Sequence, residues 1–469
     1  MAGNPNTILY GQLLDAFSEH RESILAGNPA PVAEIRSKAI ESFRKQGFPT
    51  NRMENWRNTD LSPTLSKTYK MLFDPTKEDI NLSNIFRCRI HDLDTDQISL
   101  MNGWYIREGG MLEEHPNGMI SGSLAAAMKK YPELVAEHFS RYANPDKDGF
   151  TALNTAFAQD GFFLYIPDNV EVDTPIQMVS IINWNEDLMV QTRNLIILGK
   201  NSRLTLVHCD DSTNQQAIFK NSVTEVHMAE DSVLDHYKLQ NLNNQSSLIN
   251  STFFHQEAGS RLTSNLVTLN GGLLRNYTQV TLNGRGAGAD IYGVYLMDRN
   301  QHIDNQVYVD HAQPDCYSNE LFKGILDEEA SAVFNGHILV RKDAQRTNAY
   351  QNNRNILMTD TARANAKPFL EIYADDVKCS HGATVGQLDP QQLFYLRSRG
   401  ICEANARLLL LYAFTAEVIS KISIHPLRER IDDMVKQRLR GELAICDTCA
   451  LHCEGPKKEI IFDIDMSKI

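Results

Sequence analysis

The sequence predicts a mainly β protein whose centre is a β-solenoid flanked by N-terminal and C-terminal helical regions. From residue 162 to 385, short β-rich runs separated by small polar turns replace the helical spacing seen before. A strand-turn-strand unit recurs there, centred on Ser202, Ser232 and Ser260, at nearly equal intervals. Because one such unit cannot bury its hydrophobic face alone, neighbouring units are expected to stack.

The same unit follows near Ala287 and resumes around Ser331 after a longer gap. No helical crossover pattern separates the strands, which argues against a doubly wound α/β sheet. A β-sandwich or jelly roll stays open as an alternative, because strand spacing alone does not set the topology. Side-chain amides crowd the last part of the region and are expected to form ladders between coils: Gln345, Asn348, Gln351, Asn352, Asn353 and Asn355.

Helical patterns occupy both ends of the chain. Residues 1–160 form the predicted N-terminal helical region, in which residues 31–45 show one apolar stripe and Trp56 is expected to pin a loop. The β-helix core is assigned to 161–386, and a C-terminal helical region with a Cys-rich tail to 387–469. There Asp389 is the expected N-cap and Pro390 the first helical residue. Two further helices, 403–421 and 426–441, indicate either a docking hairpin or simple packing on the solenoid end.

The composition excludes several classes of function. The chain has 469 residues with 59 acidic and 46 basic side chains, a net charge of −13. Such a surface repels nucleic-acid backbones and anionic membranes, so we expect neither as a partner. No secretory signal pattern begins the sequence, and the apolar run 408–414 is too short to span a bilayer. We therefore expect a cytoplasmic protein whose eight cysteines are reduced thiols.

The segment Lys378-Cys379-Ser380-His381 contains two side chains with metal-binding or nucleophilic chemistry. In an extended chain Cys379 and His381 lie two positions apart and point to the same side. A thiol and an imidazole on one face can ligate iron, zinc or copper, or form a nucleophile and base couple. The alternative is a packed cysteine beside a hydrogen-bonded histidine.

Several motifs in order resemble the SufB/SufD family of iron-sulfur cluster assembly proteins, over roughly residues 160 to 440. They are Gln301-His302-Ile303-Asp304, His311, Ser318 to Gly324, Val333-Phe334-Asn335-Gly336, Ala344 to Gln351, and Pro368 to Gly400. The form Lys378 to Gly386, followed by Leu396 to Gly400, resembles the SufD branch more than SufB. The early stretch Glu54 to Leu61 is similar to the family's Glu-x-Trp-Arg-Tyr-Thr signature, with Asn58 in place of tyrosine.

This resemblance implies a right-handed parallel β-helix and a scaffold subunit rather than an enzyme. It implies pairing with a SufB-like subunit and docking of a SufC-like ATPase on the C-terminal helices. A transient iron-sulfur cluster would be built at the SufB-SufD interface, with His381 as the functional histidine and Cys379 as its neighbour. Since the sequence has no Walker-type phosphate loop, we expect this chain to bind no ATP.

The C-terminal tail adds a motif that the family pattern does not account for. Cys446, Cys449, His452 and Cys453 offer four ligands suited to zinc or an iron-sulfur cluster. However, so short a segment makes a cramped chelate, so a sulfur-accepting role and unliganded thiols are alternatives.

Two other functions compete with the assembly role. The first is a purely structural subunit with no ligand of its own. The second is a β-helix carbohydrate-active enzyme, which would need catalytic acids on one solenoid face. The acidic turns at 230–231 and 327–329 indicate nothing beyond solvated turn chemistry. Whether the isolated chain forms a homodimer or binds a flavin is left open by the sequence.

Overall fold

The solenoid forms because each long strand ends in a tight corner that sends the chain across to a second sheet. The computed structural model describes residues 7–75, 93–106 and 110–441. In this part of the chain the architecture is mainly β, a parallel β-solenoid of about seven turns with N-terminal and C-terminal helices. The predicted fold class is therefore confirmed.

Helices frame the strands in the described residues. The N-terminal helices are α1 (Ile8–Glu19), α2 (Arg21–Leu25), α3 (Ala30–Gln46), α4 (Ser62–Leu65), α5 (Leu124–Lys130), α6 (Pro132–His138) and α7 (Gly149–Phe157), with a 3₁₀ turn at Glu54–Trp56. The C-terminal helices are α8 (Pro390–Ser398), α9 (Glu403–Ile419) and α10 (His425–Leu439). As predicted, Pro390 opens α8 and the Asp389 side chain accepts a hydrogen bond from the backbone N–H of Gln391.

The strands fall into a short N-terminal set and a long solenoid set. The N-terminal set is β1 (Lys70–Met71), β2 (Asp96–Met101), β3 (Trp104–Ile106), β4 (Leu112–Glu114) and β5 (Ile120–Ser123). The solenoid set begins with β6 (Phe162–Ile166), β7 (Ile176–Ile182), β8 (Leu188–Leu198), β9 (Arg203–Ser212), β10 (Ile218–Met228), β11 (Val233–Asn241), β12 (Ser247–Gln256) and β13 (Arg261–Asn270). It continues with β14 (Leu273–Leu282), β15 (Gly288–Met297), β16 (His302–His311), β17 (Tyr317–Leu326), β18 (Ser331–Val340), β19 (Thr347–Leu357), β20 (Arg363–Ile372) and β21 (Val377–Gly386).

Successive solenoid strands alternate between two sheets. The even-numbered strands β6 to β20 pair in parallel in an 11-stranded sheet, and the odd-numbered strands β7 to β21 do the same in a 10-stranded sheet. The order ends at β20 in one sheet and at β21 in the other. At the N-terminal end, β4 and β5 extend the first sheet while β2 and β3 extend the second. Short strands therefore occur within the predicted helical region. β1 has only two residues and β2 is buried at four successive positions, so neither gives a period-two signal.

The repeating serines mark one corner of each coil. Asn201, before Ser202, adopts φ 53°, and the buried Ser202 hydroxyl donates to the Gly199 carbonyl at 2.7 Å. Ser232 and Ser260 make the same bond to the carbonyl three residues earlier. A left-handed residue followed by a small buried side chain thus turns the chain inward.

The unit around Ser331 does not belong to this series. Ser331 begins β18, so it follows the opposite corner of the coil, where the chain passes from β17 back to the 11-stranded sheet. The series instead continues through Ala287 to Cys316, which is also fully buried at the start of an odd-numbered strand. The prediction was wrong because both corners recur at similar intervals, so periodicity does not distinguish them.

Amides and charges share the solenoid interior with the apolar core. An asparagine ladder crosses three neighbouring strands, with Asn250 Nδ2 donating to Asn276 Oδ1 at 3.3 Å and Asn276 Nδ2 donating to Asn305 Oδ1 at 3.1 Å. Of the amides expected to form ladders, Asn355 donates to Asn353 within one strand, and Asn353 donates to the Tyr295 hydroxyl. The observed amide ladder between coils therefore lies earlier in the chain than the expected one.

The two helical regions cover the outer faces of the two sheets. Apolar residues of α1, α3 and α7 pack with Met189, Phe219 and Ile249 of the 11-stranded sheet. The 10-stranded sheet is covered by α9 and α10, whose buried residues pack on Tyr237 and Tyr292 among others. Each fully buried Leu, Ile or Val side chain contributes about 1.5–3 kcal/mol, so this hairpin is part of the fold. It packs on the side of the solenoid, not on its end as one interpretation of the sequence had it.

Every helix in the described ranges is too short or too polar to cross a bilayer.

Candidate functional site

The segment with Cys379 and His381 forms β21, the strand at which the 10-stranded sheet ends. Its parallel register with β19 places Cys379 opposite Ala349 and His381 opposite Gln351. Both residues therefore lie on the final coil, on the same face of one strand, as the alternation predicted. The neighbouring Lys378 is exposed on the opposite side.

The two side chains differ in environment. Cys379 is half-buried and packs against the apolar interior of the solenoid. This burial raises the pKa of its thiol above the ordinary value, although a hydrogen bond with the backbone of Ala349 acts in the opposite direction. A thiolate nucleophile requires a lowered pKa, so Cys379 by itself is not an activated thiolate. By contrast, His381 is exposed at the end of the sheet.

A column of polar side chains continues inward from His381. Gln351 lies one strand further in, and Glu320 lies opposite Gln351 on β17. The Gln351 Nε2 donates to Glu320 Oε2 at 2.8 Å. Gly336 makes room for this amide, because a Cβ atom at that position would collide with the Gln351 Nε2.

Glu320 is fully buried, and its desolvation raises the pKa of its carboxyl group to about 8. The hydrogen bond from Gln351 acts in the opposite direction but is the smaller effect. Glu320 is therefore mainly protonated at neutral pH. Glu320 lies within the Ser318 to Gly324 motif, and Glu320, Gln351 and His381 follow one another at the interval of one coil.

A second polar cluster joins two distant motifs. The Arg275 guanidinium lies over the Trp56 ring, 3.7 Å from its centroid, and pairs with the Asp304 carboxylate. Thr59 Oγ1 donates to Asp304 Oδ2 at 2.6 Å, and His302 Nε2 lies 3.0 Å from the same hydroxyl. The Trp-Arg-Asn-Thr stretch is thus anchored on the Gln-His-Ile-Asp motif at the start of β16. Trp56, which was predicted to pin a loop, is buried.

Comparison with known proteins matches both parts of this architecture. Residues 181–414 match the SufBD core domain of the SUF system for FeS cluster assembly, and residues 9–178 match the SufBD protein N-terminal region. An iron-sulfur cluster assembly SufBD family protein of Synechocystis is 31% identical over 418 residues, which span 86% of this chain and 90% of the relative. The chain belongs to the SufBD family.

Two relatives named SufD also match most of this SufBD-family protein. Iron-sulfur cluster assembly protein SufD of Escherichia coli is 28% identical over 86% of the chain and 92% of its own length. SufD of Bacillus subtilis is 26% identical over 92% of the chain and 98% of its own length. The protein is therefore a SufBD-family iron-sulfur cluster assembly protein with SufD homologues, and the expected family is confirmed.

The signature residues of this SufBD protein also line an outer cleft of about 550 Å³. Trp56 and Thr59 point inward, whereas Arg57 and Asn58 line the cleft beside the last strands of the 11-stranded sheet. The asparagine that replaces the family's tyrosine therefore lies on a surface, where the smaller side chain leaves no gap in the core.

Apolar side chains are exposed around the end of the solenoid. Phe369, Ile372 and Tyr373 lie on or beside β20, and Val385 lies on β21. Phe394 of the following helix α8 is 73% exposed, and α8 buries none of its residues. Exposed apolar patches of this kind mark interaction surfaces.

The remaining cysteines do not join the site in the described residues. Cys209 and Cys316 are buried, and burial raises the pKa of the Cys316 thiol. Cys402 is exposed before α9. The four predicted tail ligands, Cys446, Cys449, His452 and Cys453, lie outside the described residues.

Proposed function

We propose that this chain is the SufD-like scaffold subunit of a cytoplasmic SufB-SufC-SufD assembly complex. A SufB-like subunit pairs with its last coil, and an iron-sulfur cluster is built transiently at that interface as cargo. A SufC-like ATPase docks on the C-terminal helical region and supplies the ATP hydrolysis.

The observation that supports this best is the end of the solenoid. Both sheets end there, at β20 and β21, and the edge of a sheet presents backbone N–H and C=O groups that another chain can extend. Exposed Phe369, Tyr373 and Val385 supply the apolar and aromatic contacts typical of interface cores. His381 lies within this surface, so a partner would cover it and complete a site around it.

His381 is the stronger candidate ligand of the two. Its imidazole is exposed and can offer a neutral nitrogen to iron, as histidine does in some iron-sulfur sites. The Cys379 thiol, with its raised pKa, would become a ligand only when a metal displaces its proton. We therefore assign the primary role to His381 and a supporting role to Cys379.

We assign docking of the ATPase to the C-terminal helical region. The fold uses only one side of these helices. The inner sides of α9 and α10 are buried on the sheet, while α8 beside them exposes Phe394 and Tyr395. The exposed aromatic side chains offer a contact surface that the chain itself does not cover.

The decisive experiment uses the complete complex, co-expressed with the SufB-like and SufC-like proteins of the same organism. We expect His381→Ala to assemble normally on size-exclusion chromatography but to lower the cluster yield after anaerobic reconstitution with iron and sulfide. Ser380→Ala, an exposed neighbour on the other face of β21, is the matched control. Unchanged cluster yield in His381→Ala would favour a purely structural subunit. Replacing Cys446, Cys449 and Cys453 with serine tests separately whether the tail supplies ligands.

A further inference from the structure

We propose that Asp96, Glu113 and His115 form a binding site for a divalent first-row transition metal ion. One ligand atom from each of the three side chains lies within 4.8 Å of the other two. The site is at the N-terminal end of the solenoid, opposite to the end with His381. It is a function beyond the scaffold role and does not depend on it.

The topology brings these side chains together from both sheets. Asp96 opens β2, which pairs in parallel with β7 at the end of the 10-stranded sheet. Glu113 lies on β4, which pairs with β5 at the end of the 11-stranded sheet. His115 follows in the turn between β4 and β5, where its backbone N–H donates to the Met119 carbonyl at 2.8 Å. A bound ion would therefore connect the ends of the two sheets.

The spacing is close to that of a coordinated ion. His115 Nε2 lies 4.0 Å from Asp96 Oδ2 and 3.8 Å from Glu113 Oε2. Ligand atoms bonded to one metal ion at about 2.1 Å lie about 3.0–3.4 Å apart. The carboxylate oxygens of Asp96 and Glu113 lie within 4.8 Å of each other, so all three side chains must move closer together to bind one ion. With exposed fractions of 16%, 27% and 40% for His115, Asp96 and Glu113, the ion would be partly dehydrated yet exchangeable.

The donor set determines which metals fit. One imidazole and two carboxylates suit Mn²⁺, Fe²⁺ and Zn²⁺, whereas soft Cu⁺ prefers thiolates. The two carboxylates supply the negative charge that attracts a divalent ion. Three protein ligands leave further positions for water.

One neighbour contact also bears on the site. Ser121 lies opposite Glu113 in the β4-β5 pair, and its Oγ is 3.0 Å from His115 Nε2. This bond fixes the ring against the carboxylates, and the hydroxyl has to release the nitrogen when a metal binds. The competing interpretation is a simple ion-paired triad, in which a protonated His115 balances the two acids and no metal binds.

Manganese titration of the full-length protein distinguishes the two interpretations. Binding quenches the electron paramagnetic resonance signal of free Mn²⁺, and this hard ion discriminates against the thiol-rich tail. We expect one Mn²⁺ per chain, displaced by Fe²⁺ under anaerobic conditions. Asp96→Asn and His115→Ala should each raise the Kd at least about tenfold.

The matched control is His337→Ala. His337 faces a single carboxylate, Glu371, at 3.0 Å, and both side chains are 34% exposed. It should leave manganese binding unchanged. Asp96→Asn preserves the side-chain shape, so it decides the question if His115→Ala fails to fold, as judged by circular dichroism. Absence of binding at millimolar Mn²⁺, or equal affinity in Asp96→Asn and wild type, would overturn the proposed site.

Discussion

Replacing Glu320 with glutamine should make the protein less sensitive to alkaline pH. Glu320 is fully buried in the solenoid interior and accepts one hydrogen bond, from Gln351 Nε2. Its other oxygen, Oε1, has no hydrogen-bond partner among the described residues. Ionising this carboxyl group therefore places a poorly compensated negative charge in an apolar environment.

The size of the effect follows from the pKa of Glu320, which desolvation raises from 4.5 to about 8. Between these values the folded state holds a proton that the unfolded state has lost, so the free energy of unfolding falls as pH rises. One pKa unit corresponds to about 1.36 kcal/mol, which gives about 5 kcal/mol over the whole window. Between pH 6 and pH 8 the expected loss is about 2 kcal/mol. Glu320→Gln has no proton to lose and should not show it.

Urea unfolding followed by circular dichroism at pH 6 and pH 8 measures this effect. The difference in unfolding free energy between wild type and Glu320→Gln should shift by about 2 kcal/mol in favour of the variant at pH 8. All other titrating groups cancel in this comparison. Glu186→Gln, at an exposed position, serves as the control and should show no such shift. If the difference in unfolding free energy between wild type and Glu320→Gln is the same at both pH values, Glu320 is not protonated in the folded protein and the reasoning is refuted.

Three further perturbations test other parts of the fold. Trp56→Ala should lower the stability by about 3–5 kcal/mol in thermal unfolding, because the buried indole lies beneath the Arg275 guanidinium. His227→Gln should reduce the loss of unfolding free energy between pH 7.5 and pH 5, as measured by urea unfolding. Burial lowers the pKa of His227 to about 4, so its contribution to stability is present above about pH 6.5 and is lost as pH falls towards 4. Arg438→Ala removes a 2.6 Å ion pair with Asp298 and should accelerate hydrogen exchange in α10, at a cost of about 2 kcal/mol. Unaltered exchange there would show that apolar packing alone holds the helix.

The solenoid was predictable because its coils have nearly constant length. Strand, turn and strand repeat at nearly equal intervals from Ser202 to Cys316, and each corner places a small side chain inside. Beyond Ala287, the sequence did not predict which of the two corners of the coil a given turn forms. The corner requires a small buried side chain, and this need not be serine. Cys316 was therefore missed as a corner residue. Ser331, which lies at the opposite corner, was wrongly taken as one.

The site was predictable only in part. Period-two alternation placed Cys379 and His381 on one face of a strand, and this needs only neighbouring residues. The raised pKa of the Cys379 thiol depends on how deeply the final coil is covered, which sequence spacing does not encode. The Glu320-Gln351 column depends on register between strands a full coil apart. Once the coil length is known, however, a search one and two coil lengths before His381 would find Gln351 and Glu320.

The C-terminal helices illustrate why contacts matter for the proposed role. Glu417 of α9 pairs with Lys323 of β17 and lies 3.9 Å from Arg354 of β19. Arg354 is in register with Thr384 of β21, the strand that contains His381. An ATPase docked on this helical region would therefore act on a helix that is ion-paired to the two strands next in the sheet to β21. Because a packed sheet resists deformation, a displacement of α9 would be transmitted to the edge of the final coil more readily than to the N-terminal half.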